Sequence, residues 1–494
     1  MDRDAAGGAG PDTGVRPGRD MTGEEFRRWG REVVDRIAAY LEQPDAWPVL
    51  PGVLPGELAA QLPADPPVAP ESFDRILADY DRLIPGATTH WNHPGFFGYF
   101  AISGTGAGIL AEALSAALNV NAMLWRTGPA ATELEQITAG WLLRLLGLPA
   151  AWDGTILDTA STSTFHALAA AREAKPELEI RERGLAGRPD VPRLRVYCSE
   201  EAHSSVDKAV VALGLGLEGV LRVATDRDFR MDPSALERAI VADRLAGVLP
   251  LAVVATVGTT STTAVDPVPA IATICQRENV WLHVDAAYAG PAAVLEELRW
   301  ILDGCEHADS LVVNPHKWLF VPVDCSLLYT AKPEIMKRAF RLVPAYLTTG
   351  ESEAVKNLMD SGIPLGRRFR ALKLWFVLRW FGASGIAAVL REHIRLAQLF
   401  AEWVDADPAF ERLSAVNFSV VNFRHRRADV AEGDATDALN QALLERINAS
   451  GEVFLTHTRI RHRLALHAAV GNIRTTEQHV RRAWQIVKDA SLAL

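Results

Sequence analysis

The strongest constraint on the fold is a series of short, nearly unbroken apolar runs in the middle of the chain, at 155–160, 194–198, 251–256, 280–285 and 311–314. Segments of helical periodicity, such as 132–146 and 164–174, fall between most of them. One helix opens at Asp232-Pro233-Ser234, with the aspartate as cap and the proline in the first turn. Strands that are apolar throughout need cover on both faces. Alternating with helices, they predict an α/β chain with a mostly parallel central sheet and helices on both sides. The 494 residues, 49% of them hydrophobic, are enough for two to four domains with a large core.

The ends of the chain read differently. Residues 1–20 are rich in Gly, Asp, Arg and Pro and predict a disordered tail, neither a signal peptide nor an anchor. Helices follow at 21–40, with Thr22 as N-cap, and at 72–83, joined by a proline-rich connector at 48–70. Beyond about Phe381 comes a long helix at 386–404. Strands at 417–423, 452–456 and 462–467 and helices at 434–447 and 475–490 then suggest a small α+β domain. No apolar run reaches the length of a membrane span, and the net charge of −10 disfavours nucleic acid or an anionic membrane as a partner. Cys198, Cys275, Cys305 and Cys325 form no CxxC pair. They read as buried free thiols in a reducing cytoplasm, not as disulfides or a metal site.

In an open α/β sheet, active groups gather at the carboxyl ends of the strands. Asp285 ends one run and Asn314 another, with His316 and Lys317 immediately after. His203 follows a third run. Ser161 follows a fourth, at a helix N-terminus suited to a phosphate. A lysine in apolar surroundings has a lowered pKa and becomes a usable amine nucleophile. A buried aspartate needs a cationic partner, which a pyridinium nitrogen supplies. The pairing is what pyridoxal 5'-phosphate requires: an amine for a Schiff base and a carboxylate that keeps the ring nitrogen protonated. A structural Lys317–Asp285 ion pair is the rival reading. The stretch 341–362 lacks periodicity and reads as a lid, on which Tyr346 can deliver a proton. Gly214, Gly216 and Gly219 match GxGxxG, but a helix precedes them and a strand follows. This is the reverse of a dinucleotide site, so they read as a helix stop and tight turn.

Several motifs in order then resemble the group II pyridoxal-phosphate-dependent decarboxylases, closest to aromatic L-amino-acid decarboxylases. They are His93-Pro94-Gly95-Phe96-Phe97-Gly98-Tyr99-Phe100, Tyr197 to Ser205, Val284-Asp285-Ala286-Ala287-Tyr288-Ala289-Gly290, Asn314-Pro315-His316-Lys317-Trp318 and Pro364 to Arg370. The resemblance implies fold type I: an N-terminal helical segment (21–105) wrapping a partner subunit, a large cofactor domain (106–375) and a small C-terminal domain (376–494). It implies a homodimer with shared active sites. Lys317 would carry the cofactor, Asp285 would hold the ring nitrogen, and Ala287 and His203 would lie on opposite faces of the ring. Ala160, Ser161 and Asn314 would line the phosphate site, with Thr260 near the ring. Tyr346 matches the lid proton donor, and His316 would sit near the substrate carboxylate. Trp91, Tyr99 and Phe100 match the aromatic side-chain pocket, with Gly366 at a position that tunes ring size. Ala101, Ile102, Asn121 and Met123 depart from familiar animal members, the last two being offered by the neighbouring subunit. The expected reaction is decarboxylation of tryptophan, 5-hydroxytryptophan, DOPA, tyrosine or phenylalanine. Alternatives are a non-aromatic substrate (histidine, glutamate or diaminobutyrate), an aromatic aldehyde synthase and a catalytically silent module.

Overall fold

The structure, a computed structural model, describes residues 18–100, 102–342 and 355–494. The large sheet contains β1 (Asp153–Leu157), β2 (Leu194–Ser199), β3 (Val220–Val223), β4 (Leu249–Thr256), β5 (Trp281–Asp285), β6 (Ser310–Val313) and β7 (Ser326–Thr330). Their spatial order is β1-β7-β6-β5-β4-β2-β3. The pairs from β6 through β5, β4 and β2 to β3 are parallel, while β7 runs antiparallel to both β6 and β1. All strands except β7 therefore share one direction, and their carboxyl ends line one edge.

Alternation along β4 shows why these strands are apolar throughout. Val253 and Ala255 enter the core on one side of the sheet, and Ala252 and Val254 enter the core on the other. Helices cover both cores, α4 (Pro129–Leu146) on one side and α5 (Ala160–Glu173) on the other, while α1 (Gly23–Glu42), α2 (Phe73–Leu83) and α3 (Gly106–Leu118) precede them in the chain. Thr22 caps α1 as expected, in a capping box with Glu25. The run read as a strand at 155–160 ends at Leu157. Thr159, in extended backbone geometry, accepts from Thr162 N–H and starts α5, so Ala160 and Ser161 stand in the first helical turn. Strand β7 was not anticipated. The glycine turn holds: Gly214 and Gly216 adopt positive φ of 78° and 71° after the helix Ser205–Ala212 and before β3.

The second sheet, in the small domain, orders β8 (Phe410–Arg412), β9 (Val420–His425), β10 (Thr456–Ile460) and β11 (Arg463–Ala469) as β10-β11-β9-β8, antiparallel throughout. The strand expected at 452–456 is displaced: all but Thr456 of it precedes β10, where Phe454 pairs with the Gly95–Phe97 segment instead. The long helix runs Ala371–Ala406, broken at Gly382 (φ 61°). By length and composition it is apolar enough to cross a membrane, which the sequence reading did not foresee. It packs against α3, α4 and β8, as a core helix of a globular chain does. All four cysteines are buried and unpaired.

Candidate active site

The strand ends bring Lys317, Asp285, His203 and the start of α5 to one edge. Asp285 closes β5, and its carboxylate accepts the Ala287 N–H at 3.1 Å. Asn314 follows β6, and its N–H donates to the Ala287 carbonyl at 3.1 Å, so the two loops are tied across the sheet. Pro315–Trp318 is a single helical turn that carries Lys317. Lys317 keeps some solvent access, yet burial of its amine holds it below the usual lysine range, opposed by the negative charge of Asp285. Among the described residues neither group forms an ion pair, which argues against the structural-pair reading. His203 is exposed at its rim but desolvated enough to be pushed down, with Asp285 raising it and Lys317 lowering it further. Its Nδ1 accepts Ser205 N–H at 3.1 Å, which leaves the proton on Nε2.

His316 is buried, and its Nδ1 accepts Cys325 N–H at 2.8 Å. Burial pushes it to about 4, with the Lys317 charge acting the same way. It is therefore a neutral ring with Nε2–H as its donor at pH 7. Phe100 stacks on Tyr288 with centroids 3.9 Å apart and 16° between planes, and Lys317 Nζ lies 5.1 Å from the Phe100 centroid. Tyr288 in turn stacks on Trp318 at 5.0 Å. The sequence motifs disclose no role for Tyr288; its one signal is an aromatic ring three residues after Asp285. A second tie joins the Lys317 turn to the Trp91–Phe100 segment. Trp318 Nε1 donates to His393 Nδ1 at 3.0 Å, His393 Nε2 to the Asn472 carbonyl at 3.1 Å, and Asn472 Nδ2 to the Trp91 and His93 carbonyls at 3.1 and 3.0 Å.

Other expected residues lie elsewhere. Trp91 and Tyr99 stack on each other at 5.8 Å, and Tyr99 is exposed. Ile102 is half-buried next in line. Thr260 is exposed on the loop after β4. Asn121, Met123 and Gly366 form a separate group: Asn121 Oδ1 accepts Arg367 N–H at 2.9 Å, Asn121 Nδ2 meets Met123 Sδ at 3.6 Å, and a Cβ on Gly366 would lie 3.8 Å from Asn121. No described contact joins that group to Lys317. Tyr346 and Ala101 fall outside the described residues. A 380 Å³ cavity lies away from this edge, between Asp45–Pro48 and Ser450–Val453, and none of the strand-end groups line it.

The residues at the edge fit pyridoxal phosphate. Asn314 Oδ1 is buried without a hydrogen-bond partner, a costly state that a ligand relieves, and an amide offers either a donor or an acceptor end. In the first turn of α5 the N–H groups of Ala160 and Ser161 precede the bond from Ser163 N–H to the Thr159 carbonyl, and so remain available to an anion.

Comparison with known proteins agrees. The model of the pyridoxal-dependent decarboxylase conserved domain matches residues 55–426. Aromatic-L-amino-acid decarboxylase of Sus scrofa is 38% identical over 485 residues, covering 96% of this chain and 98% of that protein. The structure of Oryza sativa TDC with PLP and tryptamine superposes with a TM-score of 0.92 at 35% identity, covering 97% of this chain and 99% of that one. Rhodiola rosea 4-hydroxyphenylacetaldehyde synthase superposes with a TM-score of 0.88 at 31% identity, covering 96% and 99%. The chain belongs to the pyridoxal-dependent decarboxylase family, and pyridoxal 5'-phosphate is its cofactor.

Proposed function

We propose that this protein decarboxylates an aromatic L-amino acid (tryptophan, 5-hydroxytryptophan, DOPA, tyrosine or phenylalanine) to the arylalkylamine and CO2. The observation that carries the substrate class is the Phe100–Tyr288 stack, 3.9 Å between centroids, with the Lys317 amine 5.1 Å from Phe100. A flat aromatic wall beside the reactive amine favours another aromatic ring over a charged or short side chain. The pig enzyme and the rice structure solved with tryptamine support the same class.

When bound, pyridoxal phosphate supplies an electron sink for the pair left behind as CO2 departs. The chain's own residues do the rest. Lys317 anchors the cofactor through an amine whose lowered pKa leaves more of it unprotonated at neutral pH. Asp285 would pair with the ring nitrogen, Ala287 and His203 would pack against the ring, and Thr260, on the exposed loop after β4, would approach it. Ala160, Ser161 and Asn314 would hold the phosphate. His316, neutral and with its ring fixed by Cys325, offers Nε2–H to the substrate carboxylate or to a proton in transit. Tyr346, which lies outside the described residues, would deliver a proton to the substrate Cα. Trp91, Tyr99 and Ile102 extend the aromatic pocket.

The working unit of this reading is a homodimer. Helix α1 buries none of its residues within the chain, and α3 exposes Leu110, Leu114 and Leu118 at helical spacing. Asn121, Met123 and Gly366, remote from Lys317 in their own chain, then serve the neighbour's site. Four buried free thiols suit a reducing compartment, the cytoplasm.

The test is amine detection by mass spectrometry with L-tryptophan, 5-hydroxytryptophan, L-DOPA, L-tyrosine, L-phenylalanine, L-histidine and L-glutamate. Amine from one or more of the aromatic substrates is expected, and amine from histidine or glutamate alone overturns the reading. The Rhodiola likeness favours one second reading, an aldehyde synthase, which the same assay would reveal as aldehyde and peroxide in place of amine.

A further inference from the structure

Phe100 is placed by the residue before it. Tyr99 has φ +53°, a left-handed conformation that a non-glycine residue keeps only when its surroundings enforce it. Two side chains of the small sheet grip this residue's backbone. Tyr99 N–H donates to Thr456 Oγ1 at 3.1 Å, and His467 Nε2 lies 3.1 Å from the Tyr99 carbonyl. Thr456 on β10 and His467 on β11 are register partners, so one rung of the small sheet holds both ends of the residue.

His467 is itself fixed. It is 5% exposed, and its ring stands edge-on to Phe100 at 6.3 Å. Its Nδ1 lies 2.9 Å from Asn422 Oδ1 on β9. Asn422 Nδ2 donates to the Ser261 carbonyl at 2.7 Å and to Ser414 Oγ at 3.0 Å. Ser261 belongs to the loop after β4, and its hydroxyl meets Thr458 Oγ1 at 2.7 Å. A line of polar contacts thus runs from a loop of the large sheet, through Asn422 and His467, to the backbone that sets Phe100. Both neighbours of the His467 ring are carbonyl oxygens, so a singly protonated ring makes one bond at a time. The tautomer protonated on Nε2 holds Tyr99 and makes no hydrogen bond to Asn422, which then only packs beside the ring. Burial pushes the imidazole to about 4, so it is neutral at pH 7, and among the described residues no charged side chain pairs with it.

We propose that His467 and Thr456 are positioning residues for the substrate's aromatic ring: they clamp Tyr99 in its left-handed conformation and thereby set Phe100 against Tyr288 beside Lys317. Neither residue touches the reacting atoms. The inference rests on the aromatic reading above and deepens it, because it places part of the substrate specificity in the small domain.

The test uses holoenzyme of the parent and of His467→Phe, His467→Gln, Thr456→Val and Thr456→Ser. Three readouts are combined: calorimetric binding of 3-phenylpropanoate, which has the ring but no amine; KM and kcat for the preferred substrate; and hydrogen exchange of the peptide spanning 96–102. Loss of one clamp bond in His467→Phe or Thr456→Val should weaken 3-phenylpropanoate binding and raise KM by about tenfold. In those two variants kcat should stay within about twofold and exchange at 96–102 should quicken, because the affected contact is made equally before and during reaction. Gln and Ser, which keep a donor and a hydroxyl, should restore most of the loss. Unchanged binding, KM and exchange in folded His467→Phe overturns the proposal. So does a joint fall of kcat, cofactor absorbance and thermal midpoint that Gln does not rescue. If the parent neither binds 3-phenylpropanoate nor makes an aromatic amine, the substrate reading fails; exchange at 96–102 still reports whether the clamp exists.

Discussion

Lys317 and Asp285 are 32 positions apart in the sequence, and each is surrounded by apolar neighbours that give it no local counter-charge. In the folded chain Lys317 senses the charge of Asp285, and among the described residues the two form no ion pair. That arrangement leaves the amine dependent on a ligand. Lys317→Ala should abolish turnover and remove the near-visible, borohydride-trappable absorbance of the cofactor; retention of either would refute the anchoring role. Tyr346→Phe should keep that absorbance but divert product towards aldehyde, read as peroxide in the amine assay. The same rate of amine alone from this variant would show that another group donates the proton. At this scale the sequence was informative for groups set by strand ends, because a strand's end fixes its next residue at the sheet edge. It was silent on Tyr288, Thr456 and His467, whose importance comes from contacts with residues far away in the chain.

At the scale of elements, the parallel strands were legible because each is apolar on both faces. Strand β7 was missed because its antiparallel insertion between β1 and β6 leaves no mark in its own residues. The small-sheet strand expected at 452–456 instead begins at Thr456, since Phe454 is taken by the Gly95–Phe97 segment and Leu455 by Asn448. Gly95 shows how close that approach is: a Cβ there would fall 2.1 Å from the Glu452 carbonyl oxygen. Another junction is ionic. Arg367, buried, donates to Glu135 Oε1 on α4 at 3.0 Å, to the Ile156 carbonyl on β1 at 2.7 Å and to the Leu358 carbonyl at 3.0 Å. Glu135 also accepts Ile156 N–H at 2.9 Å. Removing one partner of a buried pair strands the other charge, at about 3–5 kcal/mol. Arg367→Met should therefore lower the thermal midpoint by about 3–5 °C, and a change within about 1 °C would show the pair to be dispensable.

At the scale of the whole molecule, acid sensitivity follows from buried neutral rings. His93, His166, His283, His316, His393 and His467 are each pushed to about 4 by burial. In the unfolded chain they bind protons near pH 6.5. The unfolded state therefore holds more protons between those values, and stability rises with pH across the window. The contribution is complete above about pH 6.5 and is lost as pH falls towards 4. Calorimetric scans from pH 7.5 to 4.5 should show the midpoint falling steadily below 6.5; a flat profile would mean that these rings are not held neutral. Assembly is tested at the same scale. Sedimentation should report twice the 53.8 kDa chain mass. Mixing subunits of Lys317→Ala, inactive alone, with subunits of Gly366→Trp, weak alone, should recover activity through hybrid dimers that contain one intact site. No recovery after subunit exchange would place Asn121, Met123 and Gly366 outside the neighbour's site.

By itself the sequence determined the doubly covered parallel sheet and the edge where the amine, carboxylate, imidazole and the first turn of α5 meet, because apolar periodicity and strand ends are local properties. The tertiary structure alone decided which aromatic ring faces Lys317, that Asp285 and Lys317 do not neutralise each other directly, and that a rung of the small sheet fixes Tyr99. Those outcomes depend on contacts between segments hundreds of residues apart, such as His467 with Tyr99, and the spacing of residues along the chain carries no record of which distant surfaces meet.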